Sequence, residues 1–214
     1  MYKYLLFDLD GTLTESGEGI MNSAEYAFRS MGKEVPDRTV LRSFVGPPLK
    51  ENFPRFGLNE AETAEAIRFF RSYFADRGWL ENRPYDGVSD MCRQLADRGY
   101  RLIVATSKLE TQAVRIMEYF GLADMFTDIV GGDEQSARSA KADVIEYILN
   151  KHGIDRSEAV MIGDRFYDVN GAKACGLDAI GVTYGYGSAE ELLEAGAVRV
   201  FDTVEELGRY LLDA

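Results

Sequence analysis

The segment "YLLFDLDGTLTES", residues 4–16, is an apolar run that ends in a pair of acids. Asp8 and Asp10 bracket Leu9, and Gly11, Thr12 and a polar loop follow. An unbroken apolar run of this kind suits a strand buried on both faces, as in a parallel sheet. Residues i and i+2 of a strand face the same side, so both carboxylates point into one crevice while Leu9 turns away. Two like charges held close repel each other and lose solvation together, so the pair requires a compensating partner.

Outward from this segment, residues 16–83 read as helices. "GIMNSAEYAFRSMG" places Ile20, Ala24, Ala27, Phe28 and Met31 on one face, with Gly32 as a stop. "PDRTVLRSFVGPPLKENF" reads as short helices broken by Gly46-Pro47-Pro48. A further helix is predicted over 60–76, starting behind Asn59 and closing at Gly78, with Phe69, Phe70, Tyr73 and Phe74 as core. From Pro84 onward strands and helices alternate, with strands predicted at 100–107, 126–132, 158–164, 178–185 and 198–201. The pattern implies an α/β fold: a doubly wound, Rossmann-like parallel sheet with helices on both faces. Residues 1–15 and 84–214 form its core. Residues 16–83 interrupt the alternation after the first strand, as an inserted α-helical domain expected above the end of that strand.

Ligands of open parallel sheets bind beyond the carboxyl ends of the strands. Strand one ends in Asp8 and Asp10. The next ends in Thr106, Ser107 and Lys108. "VMIGDRFYD" ends in Asp164 and, one helical turn on, Asp168, and Lys141 opens the preceding helix. A hard divalent cation explains such a set of carboxylates. Mg²⁺ favours oxygen ligands and is usually held by one or two carboxylates plus a phosphate. A hydroxyl at Thr106 and an ammonium at Lys141 suit phosphate oxygens. Each residue also has a plainer reading. Asp164 alone is a helix N-cap, Asp168 a helix-surface acid, Thr106 a strand residue and Lys141 a solvated helix-start lysine.

Composition excludes several classes. The 214 residues carry a formal net charge of −12 and a single histidine. That balance argues against nucleic-acid polymers and anionic membrane surfaces as partners, while leaving room for a small anion. One histidine, His152, read as a solvated helix end, removes Ser-His-Asp catalysis and His-rich zinc sites. Cys92 and Cys175 show no CxxC spacing and read as reduced core thiols. There is no apolar run near the roughly 20 residues of a membrane helix. The first residues read as a strand and not as a secretory signal, so the protein is expected in the cytoplasm.

Taken in order, "DLDGT", Thr106, a downstream lysine and "GDRFYD" resemble the four motifs of the haloacid dehalogenase superfamily of phosphatases. The match runs over essentially the whole chain, and the insert falls where the family's capped members carry a helical cap. The resemblance implies Asp8 as nucleophile and Asp10 as general acid, then base. Mg²⁺ would be held by the Asp8 and Asp164 side chains and the Asp10 carbonyl, with Asp168 behind them. Thr106 and Lys141 would hold the transferring phosphoryl group. Gly11, Ser107 and Lys108 lie beside these groups as substrate contacts. An aspartate at position 10 fits phosphoryl chemistry, because a halide leaving group needs no proton. Glu15 stands where many relatives have aspartate. "SARSAKADVI" lacks the relatives' Lys-Pro pair, which leaves Lys108 and Arg138 as competitors of Lys141.

In the insert, the loop around Gly46 is expected to read the leaving group, with Arg42, Lys50 and Asn52 as candidate contacts. The closest likeness is to the phosphoglycolate-phosphatase-like and 5'-nucleotidase-like branch, and "SFVGPPL" and "GVTYGYGS" lean toward the latter. "GVTYGYGS" does not fit G-x-G-x-x-G and is not read as a dinucleotide site. The expected activity is hydrolysis of a small phosphorylated metabolite. A sugar-phosphate phosphomutase and a phospho-acceptor signalling module are the alternatives.

Overall fold

β1 (Tyr4–Phe7) lies inside the sheet, and Leu5, Leu6 and Phe7 are fully buried. The other strands follow as β2 (Thr14–Glu15), β3 (Arg83–Pro84), β4 (Arg101–Leu109), β5 (Asp128–Gly132), β6 (Ala159–Gly163), β7 (Asp178–Val182) and β8 (Arg199–Phe201). The computed structural model describes residues 2–133, 138 and 140–213. Six strands form one sheet in the order β5-β4-β1-β6-β7-β8, parallel throughout, and β2 and β3 form a separate ribbon. β1 pairs with β4 through Tyr4↔Arg101 to Phe7↔Val104 and with β6 through Tyr4↔Ala159 to Phe7↔Ile162. The chain fills one side of β1 with β4 and β5, then returns to the other side with β6. The direction of winding therefore reverses at β1, where a ligand crevice is expected.

The helices are α1 (Gly17–Ser30), α2 (Arg38–Leu41), α3 (Leu49–Asn52), α4 (Glu60–Tyr73), α5 (Val88–Asp97), α6 (Glu110–Tyr119), α7 (Lys141–His152), α8 (Phe166–Ala174), α9 (Ala189–Ala195) and α10 (Val204–Asp213). Leu6, Ile103, Ala105 and Met161 share a buried cluster with Val144, Ile145, Ile148 and Leu149 of α7 and Val169 and Ala172 of α8. The alternate strand residues Leu5, Phe7, Leu102 and Val104 are equally buried and face the opposite side, as the pleat requires. β1 stops at Phe7, so Asp8 and Asp10 lie beyond the strand rather than within it, and the chain turns after Asp8.

The chain divides into two units: Glu15–Arg83, and the segments before and after it together. In the Glu15–Arg83 unit α1 packs on α4. Its interior is aromatic: Phe28 meets Phe44, Phe53 and Phe56 at centroid distances of 6.1, 5.7 and 5.5 Å, and Phe53 meets Phe70 at 6.5 Å. Phe70 and Phe74 are buried, whereas Phe69 and Tyr73 sit half-exposed against Tyr26, outside the predicted core. α4 ends at Tyr73, and a wider turn carries Phe74–Gly78, closed by Trp79 N–H donating to the Phe74 carbonyl at 3.0 Å. That turn brings Gly78 against Gly19, where a Cβ on Gly19 would lie 1.9 Å from the Gly78 carbonyl oxygen.

Candidate active site

Asp8 is the first residue past β1. Its N–H donates to the Ile162 carbonyl at 2.9 Å, which keeps the backbone in line with the sheet for one more residue. The chain then folds into a turn in which Leu13 and Thr14 donate to the Leu9 carbonyl. Gly11 makes that turn with φ of +88°, and a Cβ there would lie 2.2 Å from Asp164 Oδ2. Leu9 is fully buried, while the Asp8 carboxylate on one side of it meets Lys141 and the Asp10 carboxylate on the other meets Lys108.

Lys141 opens α7 and reaches this point from below. Its Nζ lies 2.7 Å from Asp8 Oδ1 and 2.8 Å from Asp168 Oδ1, and it donates to the Ala105 carbonyl at 2.8 Å. Three acceptors meet the three hydrogens of the ammonium. Burial opposes the charge on Lys141, but the Asp168 and Asp8 carboxylates outweigh it and hold the group above the ordinary lysine value. Arg138, a competitor for this place, pairs instead with Glu110 at 3.2 Å and stacks on Tyr147 at 4.2 Å. Lys108, the other competitor, is also in the site: its Nζ lies 2.8 Å from Asp10 Oδ2.

The route by which β4 delivers Lys108 is a bulge. Ala105 pairs with Val130 and Leu109 with Gly132, so four residues of β4 advance against two of β5. Thr106, Ser107 and Lys108 occupy the extra length. Such bulges re-aim side chains at sheet rims. Thr106 is buried and its Oγ1 accepts the Lys108 N–H at 3.3 Å, while Ser107 is half-buried in the same bulge.

Asp164 follows β6 and does not cap the next helix, since α8 begins behind Arg165. Its Oδ2 accepts the Tyr186 N–H at 2.9 Å, and its Oδ1 lies 3.5 Å from Thr12 Oγ1. Asp168 is 2% exposed, so it is not a helix-surface acid, and its Oδ2 accepts the Arg165 N–H at 3.1 Å. Close packing here depends on missing side chains: a Cβ on Gly163 would lie 2.3 Å from the Asp168 carboxyl carbon.

Asp8, Asp164 and Asp168 each place a carboxylate oxygen within 4.8 Å of the others. Burial pushes Asp8 up to about 6; Lys141 works against that rise, and Asp168 and Asp10 add to it. Burial, then the Asp168 and Asp8 charges, hold Asp164 well above the ordinary carboxylate value. Four carboxylates, of Asp8, Asp10, Asp164 and Asp168, face two ammonium groups, of Lys108 and Lys141. With all four ionised the cluster is short of two positive charges, and the raised Asp8 and Asp164 reflect burial together with that shortage. Asp10 Oδ1 is also buried without a hydrogen-bond partner among the described residues. An all-oxygen donor set with this deficit fits a hard divalent cation.

Arg42, Gly46 and Lys50 belong to the Glu15–Arg83 unit, where Arg42 and Lys50 are exposed and Gly46 forms a turn with φ of +105°. Asn52 is fully buried and donates to the Ser43 carbonyl at 2.7 Å, so it ties the short helices together and is not a surface contact. His152 is not a solvated helix end: its Nε2 lies 2.7 Å from Asp128 Oδ2, which Lys151 Nζ approaches equally closely. Cys92 and Cys175 are buried free thiols, and burial pushes Cys92 up to about 12. Tyr184 and Tyr186, which pack behind the acids, are contacts that the motifs did not supply, and Thr12 closes "DLDGT" without having been given a task. The signal for the two tyrosines was "GVTYGYGS", whose glycines permit the close approach described below.

The sequence profile of the haloacid dehalogenase-like hydrolases matches residues 5–182. The chain belongs to that family. It is 40% identical over 192 residues to a 5'-nucleotidase of Pseudomonas aeruginosa, covering 89% of this chain and 87% of that one. Identity is also 40% over 186 residues to a protein of Mycobacterium tuberculosis named tyrosine-protein kinase PtkA, covering 87% of this chain and 64% of the other. A phosphoglycolate phosphatase of Rhodospirillum rubrum is 32% identical over 99% of this chain and 91% of its own. Among solved structures, a predicted phosphatase from Clostridium acetobutylicum shares 44% identity and a TM-score of 0.96, with each chain fully covered. No helix among the described residues is long and apolar enough to cross a membrane.

Proposed function

We propose that this protein is a Mg²⁺-dependent phosphomonoester hydrolase that passes the phosphoryl group through Asp8 and acts on a small phosphorylated metabolite, a 5'-nucleotide or a phosphoglycolate-like compound. The observation that carries the reading is the buried cluster of Asp8, Lys141, Asp168 and Asp164 at the strand ends. The names of the relatives supply the substrate class.

Asp8 attacks phosphorus, forming an O–P bond as the bond to the leaving alcohol breaks. Asp10 gives that alcohol its proton, then removes a proton from the water that hydrolyses the aspartyl phosphate. One difficult displacement becomes two easier ones, and each proton is accounted for at Asp10. Lys141, fixed against Asp8, supplies positive charge where the transferring oxygens gather, and the Thr106 hydroxyl supplies a donor. The Asp8 and Asp164 side chains and the Asp10 carbonyl, with Asp168 beside them, would hold Mg²⁺, which when bound offsets the charge of the phosphoryl group.

The relative named as a tyrosine-protein kinase supports a second reading, in which a hydroxyl and not water accepts the phosphoryl group from Asp8. One experiment separates the two. Phosphate release is measured from a panel of nucleoside monophosphates, phosphoglycolate and sugar phosphates, with and without Mg²⁺, beside Asp8→Asn. Mg²⁺-dependent release that Asp8→Asn abolishes supports hydrolysis. No release from any ester, with label transferred to added sugars or tyrosine peptides, supports the second reading.

A further inference from the structure

The chemistry above leaves the segment after β7, residues 183–188, without a task. Yet this loop closes around Asp164. The Tyr186 N–H donates to Asp164 Oδ2 at 2.9 Å. The Tyr184 hydroxyl donates to the Thr12 carbonyl at 3.1 Å, and the Thr12 hydroxyl lies 3.5 Å from the other Asp164 oxygen. One loop thus reaches Asp164 twice, directly through a backbone amide and indirectly through the turn that carries Asp8 and Asp10. The Tyr184 ring is itself braced, edge-on against Tyr85 at a centroid distance of 5.0 Å. Two glycines let the loop come this close. A Cβ on Gly185 would lie 2.6 Å from Asp164 Cβ, and one on Gly187 would lie 2.0 Å from the Asp164 carbonyl oxygen. The Tyr186 ring fills the remaining space over Gly11, 2.7 Å from where a Cβ would stand.

We infer that residues 184–187 form a positioning clamp for Asp164, in which the Tyr184 hydroxyl acts through the Thr12 turn to hold that carboxylate ready for a divalent cation. The inference rests on the reading of Asp164 as a metal ligand. A clamp answers a physical need: the Asp164 carboxylate lies within 4.8 Å of those of Asp8 and Asp168, whose like charges disfavour a third charge there. Hydrogen bonds behind a metal ligand fix its orientation, and removing one typically costs about 10–100-fold in metal affinity.

Tyr184→Phe in the full chain tests this, because it deletes one hydroxyl and keeps the ring packed on Tyr85. Mg²⁺ binding is measured by calorimetry, and phosphate release is followed against Mg²⁺ concentration. The expected result is an increase of about tenfold in both the Mg²⁺ dissociation constant and the half-saturating Mg²⁺. Turnover at saturating Mg²⁺ and the metal-free melting temperature should stay close to wild type. Gly185→Ala, which displaces the loop from Asp164, should raise the Mg²⁺ requirement in the same direction. Unchanged Mg²⁺ affinity in Tyr184→Phe, with or without a lower melting temperature, overturns the clamp and leaves the reaction as proposed. A wild-type chain that binds no Mg²⁺ overturns both.

Discussion

The two units of this chain solve the problem of an interior in opposite ways. The Glu15–Arg83 unit fills its centre with Phe28, Phe44, Phe53, Phe70 and Phe74, all nearly or fully inaccessible to water. The unit built on β1 has an ordinary aliphatic core beneath the sheet, but at the strand ends it buries Asp8, Asp164, Asp168, Thr106 and Lys141. Aromatic packing stabilises wherever it is placed. Buried carboxylates stabilise only when partners offset their lost hydration, and here the two lysines cannot neutralise all four acids once these are ionised. The first interior is therefore explained by folding and the second by chemistry. Glycine marks the same contrast. Gly19 and Gly78 let two backbones touch, whereas Gly163 makes room for a carboxylate.

Substitutions at each centre put this contrast to the test. Asp8→Asn should lower turnover on the order of a thousandfold or more while the protein keeps its fold, checked by phosphate release beside circular dichroism. The same variant gives a pH signature. In the metal-free folded chain Asp8 holds its proton more tightly than an unfolded aspartate, its carboxyl standing at about 6 against 3.8. Its stabilising contribution is then complete below pH 3.8 and is lost as pH rises through about 6. Denaturant midpoints in chelator should show Asp8→Asn gaining on wild type across that interval and levelling above it. A constant difference across that range would mean that Asp8 stays ionised in the folded chain.

Removing a cation from the same cluster should do the reverse. Lys141→Met leaves Asp8 and Asp168 facing each other and should cost about 3–5 kcal/mol in denaturant unfolding, with part recovered on adding Mg²⁺. In the aromatic unit, Phe53→Ala should cost about 3–5 kcal/mol by the cavity it leaves, with no recovery from Mg²⁺. That difference in rescue is the sharpest form of the comparison. Gly19→Ala is the smallest effect, a loss of about 1–3 kcal/mol as the new methyl forces α1 away from the Gly78 turn. A neutral Gly19→Ala would show that the two backbones are not held at the distance seen here.

Much of the acid set was legible beforehand. A strand read from its apolar run has only one place to put the acids that follow it, and alternation from Pro84 onward leaves a parallel sheet as the layout. Asp8, Asp10, Thr106, Asp164 and Asp168 could thus be assigned to strand ends or the turn beyond them. The lysines were harder. Lys108, Arg138 and Lys141 lie within 34 residues of one another, and no spacing rule separates them. The structure separates them by reach: a bulge in β4 turns Lys108 onto Asp10, the start of α7 puts Lys141 between Asp8 and Asp168, and Arg138 is claimed by Glu110. His152 and Asn52 were misread for a related cause, since each finds its partner, Asp128 or Ser43, in another element.

The sequence by itself determined the strand-helix alternation, the inserted helices and the acids at the strand ends, because periodicity and local turn chemistry are written in consecutive residues. The tertiary structure alone decided which cation meets which acid, how far the cluster falls short of neutrality, and that a loop 22 residues beyond Asp164 returns to grip it. Those facts depend on distances between neighbouring strands. In a parallel sheet such distances follow from crossover connections that bring remote residues together, and no local pattern records them.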